Sequence, residues 1–290
     1  MSYRTRFAPS PTGPLHLGHA YSALIAFERA KAKSGTFLLR IEDIDTGRSR
    51  NEWESAIFDD LHWLGLVWPE PVLRQSQNLP AYRAALDQLW RMGLLYVCRC
   101  NRREIAAAAR APQEGDPLAY GPDGIIYPGT CRPPADTSPA GPLPLNAVLR
   151  LNIAAAVPHL PNLICFTETG AGPAGETGEV TFPPAALIHT IGDIVVARRE
   201  MGTSYHLSVV VDDAAQGITE VVRGEDLFDA TTIHVVLQHL LGFSVPDYHH
   251  HALQRDATGK RLAKRDDALA IARYRAQGER PQDIRNCVGL

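Results

Sequence analysis

Arg6-Phe-Ala-Pro-Ser-Pro-Thr-Gly-Pro-Leu-His-Leu-Gly-His19 is the stretch from which the fold of this chain is read. It joins a short strand pattern, Arg4–Ala8, to an Ala-rich segment, Tyr21–Lys33, whose apolar residues recur at helical spacing, with Gly35 where a helix C-cap belongs. Between them, Pro9-Ser-Pro-Thr-Gly13-Pro14 is rich in the residues that break ladders and open turns. Phe37-Leu-Leu-Arg-Ile41 reads as the next strand and Asn51–Leu64 as the next helix. Strand, helix, strand in so short a span is a βαβ unit, and its crossover makes the two strands parallel.

Outward from this unit, the texture divides the chain into four. Residues 1–96 keep the alternating rhythm. Residues 97–184 break it: Cys98-Arg-Cys100 and a helical Arg102–Ala109 give way to a Pro/Gly/Asp-rich loop from Pro112 to Pro144, then short strand patterns at Ala147–Ile153 and Leu163–Thr167. A loop that long is usually functional or pinned, so this stretch reads as an insertion. Residues 185–243 return to α/β texture with Ile194–Arg198, the apolar run Leu207-Ser-Val-Val-Val211, Thr219–Val222 and a helix from Thr231 to Leu241. Residues 244–290 carry the basic loop Gly259-Lys-Arg-Leu-Ala-Lys-Arg265 and a helical tail.

Composition excludes several functions. With 29 Lys+Arg against 32 Asp+Glu, the net charge of −3 leaves no broad cationic surface, so any RNA contact must come from a local patch. No run of eighteen apolar residues exists and the N-terminus lacks a signal-peptide core, so neither a membrane span nor export is expected. The five cysteines make a poor disulfide framework and suit a reducing cytoplasm.

His16-Leu-Gly-His19 stands after a strand and at the start of a helix. Helix N-termini hold phosphate well, and two imidazoles there can follow the charge that builds on a triphosphate under attack. Taken alone, the pair reads rather as two ordinary capping-region histidines. The Lys260–Arg265 cluster can clamp phosphates or be a solvated charge run.

Together, His-x-Gly-His and the Leu-x-Lys loop some 240 residues later resemble the HIGH and KMSKS signatures of class I aminoacyl-tRNA synthetases. Arg6–His19, Arg40-Ile-Glu-Asp-Ile-Asp-Thr-Gly-Arg48 and Val209–Asp226 are similar to the glutamyl and glutaminyl branch. The resemblance implies a Rossmann-type parallel sheet, in halves 1–96 and 185–243, with His16, His19 and Lys264 as catalytic residues. Gly18 joins these three in binding ATP, which arrives with Mg2+. It also implies a glutamate site of Arg6, Phe7, Ala8, Pro9, Ser10, Glu42, Tyr205 and Arg223 at the strand ends. Chemically the set is apt, because an ammonium needs a carboxylate and carboxylates need guanidinium forks. A neutral glutamine side chain would not call for the extra arginine. One departure stands out: Ala263 replaces the serine usual before the last lysine of the second signature.

From spacing alone, Cys98, Cys100 and Cys131 are either three free thiols or ligands of one structural zinc ion. Similarity to short synthetase-like proteins adds Tyr127 as the fourth ligand and makes 97–184 a zinc-stapled, acceptor-binding-like insertion. Cys165 and Cys287 read as buried thiols. Only 26 residues follow Lys264, too few for an anticodon-reading domain. The short branch that this resembles activates glutamate without tRNA and attaches it to queuosine in the anticodon loop of tRNA(Asp); a cytoplasmic monomer is expected. Two alternatives stay open: a truncated enzyme charging a tRNA 3′ end, and a non-catalytic ATP- or RNA-binding paralogue.

Two patterns are set aside. Gly170-Ala-Gly172-Pro-Ala-Gly175 has dinucleotide-binding spacing but opens no helix, because Pro173 and the residues after it favour a loop. His249-His-His251 points alternately across an extended chain and reads as structural or surface histidines rather than a metal site.

Overall fold

The computed structural model describes residues 2–110, 118–134, 137, 141–254 and 269–290. It begins with β1 (Arg4–Phe7), α1 (Leu17–Ala32), β2 (Thr36–Ile41), α2 (Asn51–Trp63) and β3 (Leu73–Arg74). Next come α3 (Leu79–Arg91), β4 (Leu95–Cys98), α4 (Arg102–Arg110) and a hairpin of β5 (Tyr120–Gly121) and β6 (Gly124–Ile125). β7 (Val148–Leu151), α5 (Ile153–Ala156), β8 (Ile164–Glu168), β9 (Gly178–Phe182), α6 (Leu187–Thr190) and β10 (Val195–Ala197) follow. The chain then forms α7 (Tyr205–Ala215), β11 (Glu220–Gly224), α8 (Ala230–Leu241), β12 (Asp247–His251), α9 (Ile271–Ala276) and α10 (Pro281–Cys287).

β1, β2 and β3 pair in parallel, as do β11, β12 and β8, with β9 antiparallel on the outside. The two groups meet at a seam: Thr219 N–H donates to Arg4 O at 2.9 Å and Arg4 N–H to Thr219 Oγ1 at 2.9 Å. From this seam the chain winds outward both ways, β1 to β2 to β3 on one side and β11 to β12 on the other. In open α/β sheets such a reversal leaves a crevice at the carboxyl ends of the strands, where ligands bind. β4, β7 and β10 form a separate antiparallel sheet.

Apolar packing holds the seam from both faces. Leu24, Ile57, Leu61, Ile271 and Ile284 lie in one core that ties α1 and α2 to the tail helices, and α3, α7, α8, β4 and β7 share a second. No described helix is long and apolar enough to cross a membrane.

Four details complete or depart from the sequence reading. The run Leu207–Val211 lies inside α7, a helix whose N-cap, Ser204, accepts from Leu207 N–H at 3.3 Å. Burial of all five residues of the run removes the polar face by which a helix is recognised, so the residues alone leave the element unassigned. Second, Ser34 rather than Gly35 takes the left-handed turn after α1, at φ 48°. Gly35 serves close approach instead, since a Cβ there would meet Tyr3 O at 2.4 Å. Third, Cys165 and Cys287 are exposed, not buried: Cys165 faces outward on a strand that alternates, and Cys287 ends the last helix. Finally, β8 and β9, inside the stretch 97–184, belong to the sheet of β11 and β12. The Gly170–Gly175 segment is indeed a loop, closed so tightly on β12 that a Cβ at Gly170 would stand 2.1 Å from His250 O.

Candidate active site and cysteine cluster

At the carboxyl ends of β1 and β11 lies a cavity of about 250 Å³. β1 contributes Arg6 and Phe7 with Ala8 just after it, β11 contributes Arg223 and Gly224, and Glu42 follows β2. Tyr205 enters from the first residue of α7 rather than from a strand end. His16, Gly18 and His19 line the same cavity from the start of α1.

The two histidines are cap and ligand-facing group at once. His16 is the N-cap of α1, and its Nδ1 accepts from Gly18 N–H at 3.2 Å. His19 Nδ1 accepts from His16 N–H at 3.2 Å. Each Nδ1 being an acceptor, the ring proton of each imidazole sits on Nε2, at the positive end of a helix.

Behind the cavity is a buried network of charge. Arg6 donates to both oxygens of Asp213, from Nε at 3.0 Å and Nη2 at 3.3 Å. Arg40, fully buried, reaches Asp213 at 2.6 Å and Glu42 at 3.1 Å. Burial works against ionised Asp213, yet Arg6 and Arg40 hold its carboxyl below the ordinary value. For Glu42 burial wins over the same two arginines and raises the carboxyl. Glu42 thus keeps Arg40 as its ion-pair partner while it lines the cavity.

The remaining sequence-predicted residues are placed less centrally. Pro9 is buried, and its carbonyl accepts from Glu42 N–H at 3.0 Å, which positions the acid. Ser10 lines a neighbouring cavity of about 610 Å³ that shares Glu42 and Tyr205 with the first. Lys264 and the rest of its loop lie outside the described residues; Gln254 before it lines the smaller cavity and Ala270 after it bridges to His16. Sequence reasoning missed Asp213, two residues past a run read for its apolar residues, and His251, which lines the cavity and meets Ser22 Oγ at 2.8 Å. His250 is buried as well, so these two of the triple are structural rather than surface histidines, as the sequence reading allowed.

Some way along the chain, β4 and the segment after β6 bring Cys98, Cys100 and Cys131 together, their sulfurs all within 4.8 Å of one another. Cys100 Sγ lies 3.4 Å from Cys131 Sγ, and the Tyr127 hydroxyl is 3.6 Å from Cys98 Sγ and 3.3 Å from Cys100 Sγ. Tetrahedral zinc with Zn–S near 2.3 Å needs ligand atoms roughly 3.5–3.8 Å apart, so the donor set fits a metal ion. Burial opposes ionisation of Cys131, but hydrogen bonds from Arg99 N–H, Tyr127 and Cys100 bring its thiol down to about 7.

The family described as "tRNA synthetases class I (E and Q), catalytic domain" matches residues 2–120 and 176–290. The chain belongs to this class of synthetase catalytic domains. It is 58% identical over 290 residues to the glutamyl-Q tRNA(Asp) synthetase of Rhodobacter capsulatus, with 99% of each chain covered. It is 40% identical over 267 residues to that of Geobacter sulfurreducens, covering 92% of this chain and 77% of the relative. Within the class, it is therefore a member of the glutamyl-Q tRNA(Asp) synthetase family. Among solved structures, a glutamate tRNA ligase from Elizabethkingia meningosepticum in complex with its amino acid superposes with a TM-score of 0.70 at 28% identity. That match covers 92% of this chain and 52% of the ligase, so the chain spans about half its length.

Proposed function

We propose that this protein activates L-glutamate with ATP, in the absence of tRNA, and transfers the glutamyl group to the cyclopentenediol of queuosine in the anticodon loop of tRNA(Asp). One observation carries the reading: Glu42, Arg6, Arg223 and Tyr205 converge with His16, Gly18 and His19 in a single cavity. An amino-acid site and a phosphate site thus lie in contact.

Glu42 takes the α-ammonium, and Arg223, Arg6 and Tyr205 hold the side-chain carboxylate, with Phe7, Ala8, Pro9 and Ser10 shaping the wall. An oxygen of the α-carboxylate attacks the α-phosphorus of ATP, and the bond to pyrophosphate breaks. His16 and His19 donate Nε2–H to the phosphate oxygens, and Lys264 draws off charge on the leaving pyrophosphate, whose Mg2+ travels with ATP as substrate. A diol hydroxyl then attacks the adenylate carbonyl carbon and AMP departs. Most of the acceleration is positioning, so no enzyme nucleophile is required.

Cys98, Cys100, Cys131 and Tyr127 would hold one structural Zn2+, which when bound ties the segment after β6 to the end of β4. The protein acts as a cytoplasmic monomer on this reading. The test is transfer of labelled glutamate, with ATP and Mg2+, to bulk tRNA from queuosine-containing and queuosine-lacking cells. Label on tRNA(Asp) only where queuosine is present is expected. Label on tRNA(Glu) regardless of queuosine overturns the acceptor.

A further inference from the structure

The two cavity arginines are balanced differently. Arg6 is neutralised in contact, by Asp213. Arg223, only 6% exposed, makes no ion pair among the described residues. Each of its hydrogen bonds ends on a neutral atom: Nε on His250 Nε2 at 3.0 Å, Nη1 on His234 Nδ1 at 3.0 Å and Nη2 on Thr231 Oγ1 at 2.6 Å.

A guanidinium has five donors and no acceptor, and this decides every proton nearby. His250 Nε2 must accept, so its proton is on Nδ1, which faces Glu168 Oε2 at 2.5 Å. His234 Nδ1 must accept, so its Nε2–H donates to His206 Nδ1 at 3.1 Å. His206 then carries its proton on Nε2, 3.5 Å from Asp123 Oδ1. Two imidazole chains thus run from Arg223 to carboxylates, and neither places an anion on the guanidinium itself. Burial, with Arg223 alongside, pushes His234 well below an ordinary imidazole, and burial lowers His250 against the pull of Glu168. One N–H on each Nη is left to fork a ligand carboxylate.

We infer that His234 and His250 are positioning residues that set glutamate specificity: as neutral acceptors they aim Arg223 and leave its charge for the substrate side chain. This rests on the glutamate reading above. A carboxylate on Arg223 would make it as well aimed but already paired, and discrimination between a carboxylate and a carboxamide would fall.

The experiment is glutamate-dependent ATP–pyrophosphate exchange by the full chain, with glutamine as competitor substrate, in three variants. His234→Leu removes the acceptor and should raise KM for glutamate about tenfold, the worth of one charge-assisted hydrogen bond, with kcat and KM for ATP within about twofold. His234→Asn restores an acceptor near the Nδ1 position and should recover most of the loss. His234→Asp keeps the hydrogen bond but pairs the charge, and should lower the glutamate-to-glutamine ratio of kcat/KM about tenfold. Should His234→Leu fail to fold, the Asp and Asn variants still read the same point. A wild-type ratio in His234→Asp overturns the inference, as does an Asn variant no better than Leu. Wild-type protein without glutamate-dependent exchange would instead remove the glutamate reading, and this inference with it.

Discussion

Replacing Asp213 by Asn should cost more than any other single polar change at the site. Its carboxylate accepts from Arg6 at 3.0 and 3.3 Å and from Arg40 at 2.6 Å, and all three side chains are buried. Asparagine keeps the shape and one acceptor but leaves two guanidinium groups short of their shared anion. Removing one partner of a buried ion pair costs about 3–5 kcal/mol. At ~2.1 cal/mol/K of unfolding entropy per residue, a chain of 290 residues converts that loss into a fall of about 5–8 °C in Tm. Arg6 would also lose its aim, so KM for glutamate should rise. The sign with pH follows from the lowered carboxyl. The gap between wild type and variant is fully present above the unfolded value, near 3.9, and closes as pH falls through the folded one. Thermal unfolding by circular dichroism between pH 3 and pH 8, beside exchange kinetics, measures both effects. A variant within about 2 °C of wild type at pH 7 and with unchanged KM would refute the claim that Asp213 anchors the arginines.

Asp60 should behave in the opposite sense. It is buried, its oxygens have no hydrogen-bond partner among the described residues, and burial pushes its carboxyl up to about 6, against Arg275 at 3.5 Å. The charged form therefore destabilises the fold: the deficit is absent below the unfolded value near 3.9 and grows as pH rises through about 6. Asp60→Asn should stabilise the protein at pH 8, by up to ~2 kcal/mol, and make no difference at pH 3.5; equal effects of urea on both proteins at pH 8 would contradict this. Protein purified without chelator should carry about one zinc per chain by elemental analysis, and Cys131→Ser should lose it; metal-free wild type would remove the zinc proposal.

How much of this was legible in the residues follows the range of each interaction. His16 and His19 sit next to the turn and helix start that position them, so their place could be read from a few neighbours. The same holds for Cys98 and Cys100 at the end of β4. The parallel sheet was readable because Arg4–Ala8, Tyr21–Lys33 and Phe37–Ile41 each show their own period, and chirality leaves one way to join them.

Pairings between distant residues were not legible. Asp213 meets Arg6 across a separation of 207 residues, and Arg40 across 173. Nothing near Asp213 distinguishes it from a surface acid until the stretch His206–Asp213 of α7 is seen to be buried. Arg223 and His234 lie 11 residues apart, yet only the packing of α8 over β11 turns an apolar-helix histidine into an acceptor for a guanidinium. Residue types and local spacing determined, on their own, the α/β fold and the histidine turn at the start of α1, because backbone sterics and short-range hydrogen bonds act within a few residues. Which arginine keeps its charge for a ligand was decided by the tertiary structure alone, because burial sets the strength of electrostatics and only the folded chain determines what is buried beside what.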